Sequence, residues 1–287
     1  MHHLTSLLKS FAQGHRIDLL GIAPIERFGD VPPEHHPASI FPEVRSVLVV
    51  GKRILRGSLR GVEEGTHFTA FNLYGRAWLT DRMLAMATIA ISTFLEDNGW
   101  EAVPLQDLPP QIPPSGIPVK PGMPPPNVIV DAKDAAVRAG LGEIGYCGEL
   151  LTPQFGPRQR LQLILTDAEL EPTPICEVQV CDMCMECANT CPLGAMRGES
   201  EITIYGKTML VAQVDYNACR YCKNGALPNP YHPAGLPDRL AAICVRSCID
   251  HLERVGRIAS TFASPFRKRP SWVADWSGRP KLMQGKD

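Results

Sequence analysis

Eight cysteines in the last third of the chain have the type and spacing to hold metal. The run Cys181-Asp-Met-Cys184-Met-Glu-Cys187-Ala-Asn-Thr-Cys191-Pro192 follows the pattern C-x2-C-x2-C-x3-C-P. In that pattern three thiolates wrap one [4Fe–4S] cubane, and the fourth, launched in a new direction ahead of a proline, reaches a second. Cys219, Cys222, Cys244 and Cys248 form another set, so eight thiolates are available for two clusters. Crossover assigns Cys181, Cys184, Cys187 and Cys248 to the first cluster and Cys191, Cys219, Cys222 and Cys244 to the second. Paired C-x2-C motifs also build tetrahedral zinc sites. Four cysteines packed this closely before a proline favour the cluster reading. Cys147 and Cys176 stand outside the count and read as small buried hydrophobes.

Two coupled clusters form an electron wire, and the long chain ahead of Cys181 then requires a purpose: a substrate or cofactor site. Several residue types there could serve one. Gly140, Gly142 and Gly145 permit close backbone approach, as a loop wrapped on a large planar cofactor would need, or equally a tight helix-to-strand connection. They do not follow a strand as G-x-G-x-x-G, which argues against a nicotinamide site. Tyr146 could donate a proton to a reduced substrate, or simply pack in a glycine-rich turn. Arg158 and Arg160 could grip a carboxylate or an amide through their multidentate guanidinium groups, or pair with acidic residues on a turn.

These residues need a scaffold. Apolar spacing predicts a helix over 4–11, strands over 17–24 and 45–51, a long helix over 74–98 closed by Asn98-Gly99, and a strand over 100–105. A strand over 127–131, a short helix over 132–139 and a strand over 161–166 follow. Alternating helices and strands imply an α/β layer. Residues 104–126 are rich in proline and glycine, which forbids regular structure. That stretch is either a flexible linker or an ordered loop over a ligand.

Composition closes off other classes. With 29 Lys+Arg against 30 Asp+Glu and 44% hydrophobic residues, the chain is a globular protein without the bulk field of a nucleic-acid binder or a polybasic anchor. The first residues lack the apolar core of an export signal and a twin-arginine pair. No stretch approaches the ~18 apolar residues of a membrane span. A cytoplasmic protein is expected.

The segments Ala139-Gly-Leu-Gly-Glu-Ile-Gly145 and Leu150-Leu-Thr-Pro-Gln-Phe-Gly-Pro-Arg-Gln-Arg-Leu161, then Thr166-Asp167 and the two-cluster motif, resemble the corrinoid-dependent iron–sulfur reductases, which include reductive dehalogenases and epoxyqueuosine reductase. Asp18-Leu-Leu-Gly-Ile-Ala-Pro24 and residues 45–51 are similar to the latter's N-terminal region. The resemblance implies an α+β fold: a nitroreductase-like α/β domain over 1–170, a bacterial two-[4Fe–4S] ferredoxin-like domain over 171–260 and a tail over 261–287. It implies a reductase that passes electrons through two clusters to a cobalamin, acts on a small organic substrate, and draws electrons from reduced ferredoxin or flavodoxin. A homodimer is open, as nitroreductase-like domains often pair. Asp131 resembles the proton-donating aspartate of epoxyqueuosine reductase, and Asn72 and Tyr74 fall where the family places cofactor and substrate contacts. Gly145-Tyr-Cys-Gly148 departs from the family, replacing a cation with a phenol, and the basic tail is too short for a tRNA surface, so nucleic acid is not expected. The rival readings are an electron-transfer protein without organic cofactor that docks on a partner enzyme, and a flavin-dependent reductase.

Overall fold

The structure is a computed structural model and describes residues 2–283. Helix α1 (His2–Gly14) leads into strand β1 (Leu19–Pro24), then β2 (Ser46–Arg53) and the short α2 (Arg60–Glu64). The long helix predicted over 74–98 begins earlier and in an unexpected form. Residues Phe71–Ala77 and Leu79–Leu84 make π-helical turns, and only Ala85–Asp97 is α-helical, as α3. Gly99, at φ 84°, turns the chain out of it. Strand β3 (Ala102–Leu105), helix α4 (Ala132–Arg138), the short pair β4 (Glu143–Ile144) and β5 (Leu150–Leu151), and β6 (Gln159–Thr166) complete the first part.

Four strands form one sheet in the order β1-β2-β6-β3, every neighbouring pair antiparallel. The near-continuous apolar run of β2 is explained by burial on both faces. Val47 and Val49, with Leu163 and Leu165, pack on Ala135 and Ala136 of α4. Leu48 and Val50, with Ile164, pack on Leu8 of α1 and Ile91 and Leu95 of α3.

The strand expected over 127–131 does not form. Asn127 takes φ 70°, Asp131 is already the N-cap of α4, and residue 129 bonds instead to the 34–35 turn, through Ile129 N to Glu34 O and His35 Nδ1 to Ile129 O. Among the described residues this segment belongs to no sheet.

The cysteine-rich part holds α5 (Glu186–Asn189), the hairpin β7 (Met196–Ile204) and β8 (Lys207–Val214), α6 (Tyr216–Cys219) and α7 (Ile243–Arg254). The hairpin turns at Tyr205-Gly206, both at positive φ, as a type I′ turn requires. It separates Cys191 from Cys219, and Ile204, Met209 and Val211 enter the same core as α4. Arg246 of α7 and Glu63 of α2 form a buried ion pair between the two parts. The basic tail is docked: Phe266 is buried, Asn224 bonds both backbone groups of Trp272, and β9 (Trp272–Ala274) pairs with β10 (Pro280–Leu282).

Candidate active site and cluster-binding cysteines

Local backbone shape brings the first thiols together. Met183 and Met185 sit at φ 59° and 62°, curling residues 181–185 into a tight loop, and α5 then carries Cys187. The Glu143 carboxylate accepts from the backbone N–H groups of Val180 and Cys181 at 2.8 and 2.7 Å, fixing the loop's start. Cys181, Cys184, Cys187 and Cys248 line one small cavity together with Tyr146 and Cys147.

The remaining thiols gather separately. Cys191 follows α5 and accepts from Ala195 N at 3.3 Å, Cys219 ends α6, and Cys222 lies one turn on. Cys244 and Cys248 stand four apart on α7, on one face. Cys219 and Cys244 each lie within electrostatic range of both Cys191 and Cys222. Burial pushes the Cys219 thiol to about 11 and the Cys244 thiol to about 12, and it raises Cys187 further. Thiols this costly to ionise without a counter-charge, none of them in a disulfide, are suited to a metal centre that stabilises the thiolate. Asp182, Cys184 and His251 also place potential ligand atoms within 4.8 Å of one another, so the first set has oxygen and nitrogen donors at its rim.

Beyond these thiols lies a cavity of about 870 Å³, a size typical of cofactor and ligand sites. Its walls are the π-helical turns (Asn72, Arg76, Thr80), the segment after β3 (Asp107, Pro109), the start of α4 (Asp131, Lys133), Arg160 of β6, the hairpin residues Ile202 and Ile204, and Asp238-Arg239 ahead of α7. π-Helical turns cluster at functional sites, and here they form one side of the cavity. The proline-rich stretch contributes Pro109, Pro110 and Gln111 to the wall, with Gln111 Oε1 accepting from Leu236 N at 3.3 Å. Its start is therefore an ordered wall, while Ile117 and Val119 are exposed.

The charges in this cavity are mostly paired. Arg160 donates to Asp238 at 2.6 Å and to Gly75 O at 3.1 Å, and Arg76 lies 3.4 Å from Asp238. Burial works against the Asp238 carboxylate, yet Arg160 outweighs it and holds the carboxyl low. Lys133 pairs with Glu149 at 2.5 Å, and that partner more than offsets burial, raising its ammonium. Asp107 differs: burial, then the neighbouring charge of Asp131, push its carboxyl up to about 7.

The residues singled out from sequence separate into two groups. Asn72, Asp131 and Arg160 line the large cavity. Asp131 also caps α4, its Oδ1 accepting from Lys133 N at 2.8 Å and Asp134 N at 3.3 Å. Tyr146, read as a proton donor or a packing residue, lies on the small cysteine cavity, its backbone N–H donating to Cys181 Sγ at 3.4 Å. Tyr74 is exposed and stacks edge-on against Trp78. Arg158 is buried away from both cavities, held by Ile54 O and Ser260. Gly140, Gly142 and Gly145 are close-approach glycines, but the approaching groups are Pro174 O, Leu151 O and the Leu151 side chain. Sequence reasoning missed Asp107, hidden in a loop, Arg239, and Cys147, which faces the Cys248 thiol. Nothing in their spacing announces them.

No family model matches the chain. Over 69 residues it is 44% identical to a tetrachloroethene reductive dehalogenase of Desulfitobacterium hafniense, a match covering 23% of this chain and 12% of that protein. Over 93 residues it is 37% identical to the tetrachloroethene reductive dehalogenase of Sulfurospirillum multivorans, covering 29% and 18%. The chain is similar to the reductive dehalogenases. It matches only a small part of the length of these curated relatives. Among solved structures, a reductive dehalogenase described with a B12-dependent mechanism superposes with TM-score 0.50 at 18% identity, over 74% of this chain and 28% of that one. A likeness at that identity shows a shared fold. An epoxyqueuosine reductase bound to a tRNA stem loop aligns with TM-score 0.47 at 16% identity, too low to carry an argument. The resemblance read from the residues thus has support in both sequence and fold. No helix among the described residues is long and apolar enough to cross a membrane.

Proposed function

We propose that this protein is an iron–sulfur reductase. It binds two [4Fe–4S] clusters on the sets Cys181/Cys184/Cys187/Cys248 and Cys191/Cys219/Cys222/Cys244, and passes electrons to a corrinoid in the large cavity, where a small organic substrate is reduced. In this reading a nitroreductase-like domain over 1–170 is followed by a ferredoxin-like domain over 171–260 and a tail over 261–287, of which Phe266 and the backbone of Trp272 are packed against the cysteine-rich part. The observation that carries it is one cavity of about 870 Å³ whose wall residue Arg239 lies within electrostatic range of Cys219 and Cys244, in a chain that gathers the other thiol set on a small cavity of its own.

The residues present fit both groups. Eight soft donors in two clusters suit iron–sulfur chemistry. The large cavity is lined by apolar side chains and by amide, hydroxyl and paired charged groups, a lining that would suit a large corrin with amide-bearing edges. When bound, the corrinoid would supply a strongly reducing metal centre. The chain's own residues do the rest. Asn72 and Thr80 offer hydrogen bonds to amide groups at its rim, apolar Ile202, Ile204 and Leu240 exclude water, and Asp131 and Asp107 are the carboxyls available to hold a proton at the substrate. Lys133 and Arg160, each neutralised by a carboxylate, fix the walls without adding net charge. A reduced ferredoxin or flavodoxin would be the electron donor, in a cytoplasmic setting, and the protein would work as a monomer or a homodimer.

The test is anaerobic reconstitution of the full chain with iron and sulfide, followed by titration with hydroxocobalamin. Uptake of two clusters and a cobalamin spectrum that changes on binding support the reading. Zinc in place of iron overturns it. Full iron loading without corrin uptake would leave the electron-transfer or flavin alternatives.

A further inference from the structure

Arg239 joins the wall of the large cavity to the neighbourhood of the second thiol set. It lines the cavity and is only 2% exposed. Its Nη2 donates to Cys147 O at 2.7 Å and faces Glu149 Oε1 at 3.1 Å, and its guanidinium lies 5.2 Å from the centre of the Tyr216 ring on α6. Its Nε and Nη1 are buried with no partner. The same guanidinium is within electrostatic range of Cys244 and Cys219.

A buried N–H without an acceptor is costly, so two on one side chain call for an acceptor that the protein chain does not itself supply. The thiols of Cys244 and Cys219 are among the groups whose charge this guanidinium senses. Arginine stays charged even when buried, and hydrogen bonds to cluster sulfurs and nearby net charge are the levers that set cluster potentials. Resting on the two-cluster reading above, we propose that Arg239 is the residue that sets the reduction potential of the cluster held by Cys191, Cys219, Cys222 and Cys244. Its free N–H groups serve that centre's sulfurs, and its positive charge favours the reduced form. One electron enters that cluster and no bond is made or broken. Arg239 also lines the large cavity, so a raised potential at this cluster would hold electrons on the side of the protein where the cavity wall lies. Glu149 opposes the effect in part, since it neutralises both Arg239 and Lys133.

The experiment is an EPR-monitored redox titration of the reconstituted full chain, with iron counted in every sample. Arg239→Gln should lower the midpoint of one cluster so that its reduced-to-oxidised ratio at fixed potential falls at least tenfold, about 59 mV for a one-electron couple, and should leave the other cluster unmoved. Arg239→Lys, which keeps the charge and loses the planar fork, should fall between. Glu149→Gln leaves Arg239 in place and removes its counter-charge, so the same midpoint should rise; this opposite sign keeps the test open if the Gln variant of Arg239 folds poorly. Full iron content with both midpoints unchanged in Arg239→Gln, or a fall in Glu149→Gln, overturns the proposal while leaving the two-cluster reading intact. Failure of the wild-type chain to take up iron removes both.

Discussion

Asp107 and Asp131 are neighbours in the wall of the large cavity, and the pair is asymmetric. Asp131 spends its oxygen on the first turn of α4, whereas the Asp107 carboxyl is pushed up to about 7, by burial first and by Asp131 second. Lys133 and Arg160 pull the other way, and Asp238 adds to the rise. An aspartate whose folded value lies above its unfolded value of 3.8 contributes stability that is complete below that value and is lost as pH rises through about 7. The cofactor-free protein should therefore lose roughly 2–4 kcal/mol between pH 4 and pH 8 through this group. Asp107→Asn should remove that slope and be the more stable protein at pH 8. Urea denaturation of both proteins at the two pH values decides it, and equal stability of the two proteins at pH 8 refutes the assignment.

The ion pair between Glu63 and Arg246 ties α2 to the helix carrying Cys244 and Cys248. Both side chains are nearly inaccessible, and Arg246 also donates to Asn224 O at 3.1 Å and to Ala241 O. Removing one partner strands the other charge, which costs about 3–5 kcal/mol. Glu63→Ala should lower the unfolding free energy by that amount, seen as a lower denaturation midpoint at an unchanged denaturant slope. It should also slow iron uptake, because α7 is less firmly seated. Full stability in this variant would mean that Arg246 finds another counter-charge.

The sheet was legible because its strands advertise themselves: residues 46–53 and 159–166 are apolar enough to be covered on both faces, and no competing period obscures them. The thiol sets were legible for a different reason, since cluster ligation fixes short local spacings that survive in one dimension. The cavity was not. Asp107 lies in a segment without periodicity, and its environment is made by Asp131, Arg160 and Asp238, which come from three other places in the chain. Tyr146 and Arg158 looked chemical in a glycine-rich and arginine-rich run, but the partners that define their surroundings, Cys181 for one and Ile54 and Ser260 for the other, come from distant parts of the chain. The π-helical turns were invisible because their apolar pattern differs from α-helical spacing only slightly.

Gly140 and Gly142 make close approaches to the protein's own backbone. A Cβ at Gly140 would meet Pro174 O, and Gly140 also takes φ 72°; a Cβ at Gly142 would meet Leu151 O. In both cases the obstacle is a carbonyl that cannot swing aside. Gly140→Ala should cost about 3 kcal/mol or more, combining the left-handed backbone with the clash, and Gly142→Ala a similar amount from the clash alone. If these glycines instead served a cofactor, the alanine variants would keep their thermal stability without ligand and lose only cobalamin binding. Melting curves of the cofactor-free proteins separate the two outcomes.

Cys147 is the sharpest test of which thiols hold iron. It lines the same small cavity as Cys181, Cys184, Cys187 and Cys248, is 1% exposed, and its thiol faces that of Cys248. Proximity alone would make it a ligand. Sequence spacing argues otherwise, because the eight remaining thiols already satisfy two cubanes, and Cys147 sits in the turn between β4 and β5, outside the cysteine-rich segment. Cys248→Ser should lose the iron of one cluster and its EPR signal while the other persists. Cys147→Ser should retain both, with a small change in stability expected of a buried thiol replaced by a hydroxyl. The reverse result, with iron lost in Cys147→Ser and kept in Cys248→Ser, would move the first cluster toward the β4–β5 turn and redraw the electron path.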